Sequence, residues 1–185
     1  MSYHSPFKIN NTVRYLKAGA VIAYPTEAVY GLGCDPLNEN TVMHLLDIKQ
    51  RPMEKGLILI ASSLDQLRPY LILNPPIIER ITRTWPGPVT WVIPAQPWVP
   101  KWLTGEHDSL AVRVTNHPVA RDLCTHFGSP LVSTSANATT RPAIRESRKL
   151  LTSFAKTDIF IVHGTVGQLT QETAIFDALT GNRLR

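Results

Sequence analysis

The chain reads as a single α/β domain built on a partly parallel sheet. Short apolar, β-branched runs alternate with stretches of helical period along nearly the whole length. One run, Leu57-Ile58-Leu59-Ile60-Ala61, is apolar on both faces, as a central strand buried between two layers must be. No repeat, linker or low-complexity segment interrupts the 185 residues, a length suited to one core.

Composition narrows the class. Hydrophobic residues make up 43% and charged residues 18%, which excludes a disordered chain. No apolar run approaches the roughly 20 residues that span a bilayer. Residues Met1 to Pro6 lack the charged-then-apolar order of a signal peptide. A cytoplasmic protein with no membrane partner is expected. Cys34 and Cys124 form no CxxC pair, which argues against a disulfide framework. The net charge of +5 favours anionic partners such as nucleotides or RNA. Its spread along the chain favours a charged groove over a basic tail.

The elements follow in order. Lys8 to Ala18 places Ile9, Val13 and Leu16 at helical spacing and ends at Gly19, a helix with a glycine cap. Val21 to Tyr24 is a short buried strand. Pro25-Thr26-Glu27 breaks it, and Gly31 and Gly33 bring the backbone close to a neighbour, without the third glycine of a dinucleotide fingerprint. Asn38 caps a helix running to about Ile48. Beyond it, Pro52 biases Arg51 toward extended geometry, so Lys49 and Arg51 are expected to project together. After the central strand, Ser62 or Ser63 opens a short helix with Leu64 and Leu67. Another helix runs from Pro75 to about Thr84 and stops at Trp85-Pro86-Gly87-Pro88. Val89 to Ile93 is a strand, and residues 94 to 105 read as a long ordered loop. Trp98 and Trp102 there are read as pins, with stacking on a base as the alternative. Ser109 to Val114 alternates, with Leu110, Val112 and Val114 on one face and Ser109, Ala111 and Arg113 on the other. Pro118 to Phe127 is a helix capped by Gly128. Pro130 to Asn137 starts as a strand and ends in Ser133, Ser135 and Asn137, which share a side if the segment stays extended. Glu146 to Phe154 is helical, Ile159 to Val162 and Thr173 to Ala178 are strands, and Thr180-Gly181 turns the chain into its last residues.

Ligands of open α/β sheets sit beyond strand ends. Near such ends stand Lys49 with Arg51, Ser109 with Arg113, and Ser133 with Ser135 and Asn137. They offer cations for a phosphate or carboxylate and neutral groups to orient it. There is no GxxxxGK[ST] phosphate loop, no GxSxG elbow, and no histidine pair at metal-ligand spacing. No metal ligand is therefore assigned.

Five segments together resemble the YrdC-like family. They are Pro25-Thr26-Glu27-Ala28-Val29-Tyr30-Gly31-Leu32, Lys49-Gln50-Arg51-Pro52, Trp85-Pro86-Gly87-Pro88-Val89-Thr90, Ala111-Val112-Arg113-Val114 and Ser133-Thr134-Ser135-Ala136-Asn137. The likeness runs from about residue 8 to residue 185, as one domain without a second C-terminal one. It implies a twisted mixed sheet flanked by helices around a basic cavity. It also implies a nucleotidyltransferase that takes L-threonine, bicarbonate and ATP to threonylcarbamoyl-adenylate and pyrophosphate. The product would pass to transferase proteins that complete the t6A modification of tRNA at adenosine 37. Mg²⁺ would be held through ATP, which is a substrate. Carried over by motif, Lys49, Arg51, Ser135 and Asn137 are expected to be catalytic. Arg51, Lys55, Ser109, Ser135, Asn137 and Arg185 would contact ATP, and Thr26, Arg113, Ser133 and Thr173 would contact threonine. A tRNA- or double-stranded-RNA-binding protein is the alternative. Two departures stand out. The 137–142 loop lacks the family's glycine, and Gln171-Glu172-Thr173 stands where Pro-Ser is usual.

Overall fold

The computed structural model describes residues 6–137 and 142–185. The 138–141 part of the glycine-less loop thus lies outside the described residues. One eight-stranded mixed sheet organises the chain, in the order β7-β1-β2-β6-β3-β5-β4-β8. The strands are β1 (Ile22–Pro25), β2 (Tyr30–Gly33), β3 (Ile58–Ala61), β4 (Val89–Pro94), β5 (Ser109–Val114), β6 (Leu131–Ser135), β7 (Phe160–Ile161) and β8 (Ala174–Asp177). β1 runs parallel to β7, β3 to β5 and β4 to β8, and the remaining neighbours are antiparallel. β3 is central, between β5 and β6, as its two apolar faces required.

The helices are α1 (Pro6–Lys17), α2 (Glu39–Lys49), α3 (Leu64–Leu67), α4 (Pro75–Thr82), α5 (Lys101–Thr104), α6 (Pro118–Phe127) and α7 (Ser147–Ser153). Caps set several boundaries. Asn38 and Asn74 accept the backbone N–H of Thr41 and Ile77 at the starts of α2 and α4, satisfying donors a helix start leaves orphaned. Gly128 closes α6 in the left-handed region.

Strand alternation splits the core in two. On one face Leu59, Leu110, Val112 and Val132 pack with Val42, Leu45 and Leu46 of α2, Ile77 and Ile81 of α4 and Leu103 of α5. On the other, Ile22, Tyr24, Ile60 and Leu131 pack under Ile9, Val13 and Leu16 of α1 and Val119, Leu123 and Cys124 of α6. These two helices are short, about 15–18 Å each at 1.5 Å per residue, and cover only part of their face. The uncovered part holds the site.

Three local expectations change. Residues 30–33 form a full strand, β2, pairing with β1 and β6. Two glycines hide it, because glycine has little strand propensity. The 94–105 segment contains α5. Its tryptophans pin it, Trp98 through Pro69 O (3.1 Å) and Trp102 through Pro36 O (3.0 Å), and neither lines the site, so base stacking is set aside. Finally, Lys49 ends α2, and Gln50 at φ 50° turns the backbone left-handed before Arg51. The pair is therefore not displayed by strand alternation. The reversal is fixed by the N–H groups of Gln50 and Arg51 donating to Asp47 O and Leu46 O.

Candidate active site

A cavity of about 440 Å³ opens on the sheet face that α1 and α6 leave bare, within the usual range for a small-molecule site. Its floor is made by small or short side chains in register. Gly31 faces Ser135, Ile58 lies between Ser133 and Ala111, and Ala111 lies beside Val92. The neighbouring residues on the same strands, Leu59, Val112 and Val132, fill the opposite core. Period 2 thus builds a packed layer and a hollow from the same strands.

Arg113 is the deep cation. It is 5% exposed, and its Nη1 donates to Thr173 Oγ1 (2.9 Å) and Thr90 Oγ1 (3.2 Å). Nη2 faces Glu27 Oε2 at 3.4 Å. Glu27 Oε1 accepts from Thr115 Oγ1 (2.6 Å) and the Asn116 N–H (3.2 Å). Burial would raise the Glu27 carboxyl. The Arg113 guanidinium and the Thr115 and Asn116 bonds outweigh it and hold the carboxyl below its ordinary value. Thr26 and Ser133 complete this end of the lining, with Thr26 Oγ1 donating to Val29 O (2.7 Å).

A second group of cations lies toward the mouth. Arg51 is held by the bond from its Nη2 to Gly56 O (2.9 Å), and its Nε is buried without a hydrogen bond. Burial, then the nearby Arg185 guanidinium, lowers its pKa. Arg185 pairs with Glu172 (2.8 Å) and donates to Thr173 O (3.0 Å). Lys55 and Ser109 also line the cavity.

Lys49 stands behind the wall. It is 3% exposed, and its Nζ donates to Ser135 O (2.5 Å), Asn137 O (2.8 Å) and Asn137 Oδ1 (3.2 Å), as many acceptors as an ammonium has N–H groups. Ser135 Oγ donates to Asn137 Oδ1 (2.6 Å). Burial, then Arg51, pushes the Lys49 pKa down to about 8, with Glu172 opposing. β6 ends at Ser135, so Asn137 leaves the strand and faces Lys49. Of the expected residues, Thr26, Arg51, Lys55, Ser109, Arg113, Ser133, Ser135, Thr173 and Arg185 line one cavity, while Lys49 and Asn137 brace its wall.

Sequence reasoning passed over Glu27, Thr90, Thr115, His107 and Glu172. Thr115 lies one residue past the end of β5, where strand alternation no longer predicts the side its hydroxyl takes. Glu27 lies in the Pro25–Leu32 segment, but nothing local marks its pairing, because Arg113 lies 86 positions further along the chain.

The fold and cavity define an α/β protein with a guanidinium buried among hydroxyls at one end of a cavity and three further cations toward its mouth. The chain belongs to the Sua5/YciO/YrdC family, whose model, described as "Telomere recombination", matches residues 14–185. A threonylcarbamoyl-AMP synthase of Klebsiella pneumoniae subsp. pneumoniae is 52% identical over 181 residues, covering 96% of this chain and 94% of that protein. One of Coxiella burnetii is 48% identical over 178 residues, covering 96% of each. Among solved structures, P. abyssi Sua5 complexed with L-threonine matches with a TM-score of 0.86 at 32% identity, over 94% of this chain and 51% of that one. This chain therefore spans about half the length of that protein. E. coli YciO matches with a TM-score of 0.81 at 27% identity, over 91% of this chain and 82% of that one.

Proposed function

We propose that this protein is a threonylcarbamoyl-AMP synthase, a nucleotidyltransferase that converts L-threonine, bicarbonate and ATP to threonylcarbamoyl-adenylate and pyrophosphate. The observation that carries the reading is one cavity with two kinds of cation: Arg113, buried among hydroxyls, and Arg51, Lys55 and Arg185 toward the mouth. The relatives of that name at about half identity over the full length support it.

In this reading Arg113 takes the threonine carboxylate, with Thr26, Ser133 and Thr173 placing the rest of the amino acid. The amine attacks the bicarbonate carbon, a C–N bond forms and water leaves, giving a carbamate. A carbamate oxygen then attacks the α-phosphorus of ATP and pyrophosphate departs. No protein nucleophile is needed. The protein positions the reactants and offsets charge. Arg51, Lys55, Ser109, Ser135 and Arg185 meet the nucleotide. Lys49 and Asn137 hold the turn that presents Ser135. Mg²⁺ arriving with ATP would offset charge on the leaving pyrophosphate, held through the phosphates and its own waters.

The adenylate would pass to the transferase proteins that modify tRNA, and the cytoplasm is the setting proposed. Direct binding of tRNA or double-stranded RNA is the weaker reading. A buried guanidinium among hydroxyls suits a small carboxylate better than a duplex backbone. The test is pyrophosphate release with each substrate omitted in turn. Release that needs threonine, bicarbonate and ATP together supports the synthase. RNA binding that falls steeply with salt and ignores threonine supports the alternative.

A further inference from the structure

The scheme above gives Glu27 no part, yet its side chain is only 10% exposed and its charge is retained. A buried carboxylate survives only where partners compensate it. Its Oε1 is fully engaged with Thr115 and Asn116. Its Oε2 has no hydrogen bond and stands 3.4 Å from Arg113 Nη2, well beyond the roughly 2.7–2.9 Å of a charge-assisted bond. The contact is thus an ion pair held just short of closing.

The backbone behind it leaves no room to withdraw. Gly167 N–H donates to Thr26 O (2.8 Å) and Leu169 N–H to Glu27 O (3.2 Å). A Cβ at Gly167 would lie 2.4 Å from Glu27 O, so only glycine permits this approach. Arg113 is consequently held from two directions, by this carboxylate on one side and by the hydroxyls of Thr90 and Thr173 on the other. Its Nε still lacks a partner.

We infer that Glu27 is a positioning residue for threonine, fixing the rotation of the Arg113 guanidinium so that its remaining N–H groups meet the substrate carboxylate. The inference rests on the reading of Arg113 as the carboxylate's partner. With Oε1 held by Thr115 and Asn116, only Oε2 is left to face Arg113, and it stops short of a charge-assisted hydrogen bond. The open geometry lets Arg113 accept a second carboxylate without breaking a bond to the first.

The experiment compares KM for threonine and for ATP in the wild type, Glu27→Gln, Thr115→Val, Arg113→Ala and the Glu27→Gln/Arg113→Ala double variant. Misplacement of a binding group by an ångström is felt as about tenfold or more, so Glu27→Gln is expected to raise KM for threonine about tenfold and leave KM for ATP within about twofold. Thr115→Val, which removes one of the two bonds to Glu27 Oε1, shifts it the same way by less. The double variant is no worse for threonine than Arg113→Ala alone, because Glu27 acts through Arg113. Partial unfolding lowers the amount of active protein, and hence kcat, without changing KM of the folded fraction. An unchanged or lowered threonine KM in Glu27→Gln overturns the inference, as does an equal rise for both substrates. If Arg113→Ala itself keeps its threonine KM, the reading of Arg113 fails and the inference falls with it. If only Glu27→Gln is silent, the inference alone fails.

Discussion

Replacing Arg113 with alanine is expected to raise KM for threonine tenfold to a hundredfold, since a hydrogen bond to a charged group contributes about 1.5–3 kcal/mol. KM for ATP should barely move. Steady-state kinetics with each substrate varied checks this, and equal effects on both would remove the distinction between the two ends of the cavity. Arg51→Ala should lose roughly 10²–10³ in kcat, the usual loss for one well-placed donor to developing charge. Arg51→Lys should rescue poorly, because lysine lacks the planar fork. Arg51 buries no apolar side chain, so the melting temperature should stay near that of the parent. Lys49 adds a pH signature. Its pKa is lowered to about 8 by burial and then Arg51, so the unfolded chain holds more protons between that pH and the ordinary lysine value. Its share of stability therefore rises with pH across that window. Its charge fades over the same interval, so the difference in ATP affinity between wild type and Lys49→Met should narrow from pH 7 to pH 9.5. A constant gap would mean that the ammonium charge plays no part in nucleotide binding.

At the level of elements, the last residues are a test of the edge of the sheet. Leu184 N–H donates to Ile175 O (2.7 Å), and Arg185 pairs with Glu172 across the start of β8. Deleting Arg185 should raise KM for ATP several-fold while the melting temperature changes little, since chain ends normally carry little of the fold. Unchanged ATP use would leave the residue as a solvated end. The loop with Lys55 is held differently. Gly105 has φ +65°, and a Cβ there would lie 2.2 Å from Glu54 O, so Gly105→Ala should destabilise by more than about 1 kcal/mol in thermal melts. These elements also mark what the sequence makes legible. α2 was readable from its Asn38 cap, β3 from its two apolar faces and β5 from its alternation, because each signal is local. The turn at Gln50, the strand built on Gly31 and Gly33, and the Glu27–Arg113 pair were not. Each depends on groups distant along the chain that decide the local conformation or charge. The Ser133 and Ser135 side of β6 was readable only as far as the strand persists, and Asn137 lies just past its end.

Across the whole molecule, the charge distribution makes its own statement. The chain carries a net +5, and three mouth cations, Arg51, Lys55 and Arg185, line the cavity. Raising ionic strength from about 0.05 to 0.5 M shortens the screening length from roughly 14 to 4 Å, which should weaken ATP binding more than threonine binding. The reverse order in calorimetry would misplace the anion's route of entry. The hollow floor has a different kind of consequence. Ala111 sits where its side chain points into empty space, while Val112 next to it is fully buried. An Ala111→Leu change would add atoms to a void and displace nothing in either core, so the protein would accumulate and melt like its parent while closing the cavity to nucleotide. Such a change would be invisible to any assay of abundance or heat resistance and would show only when nucleotide is offered to the folded protein.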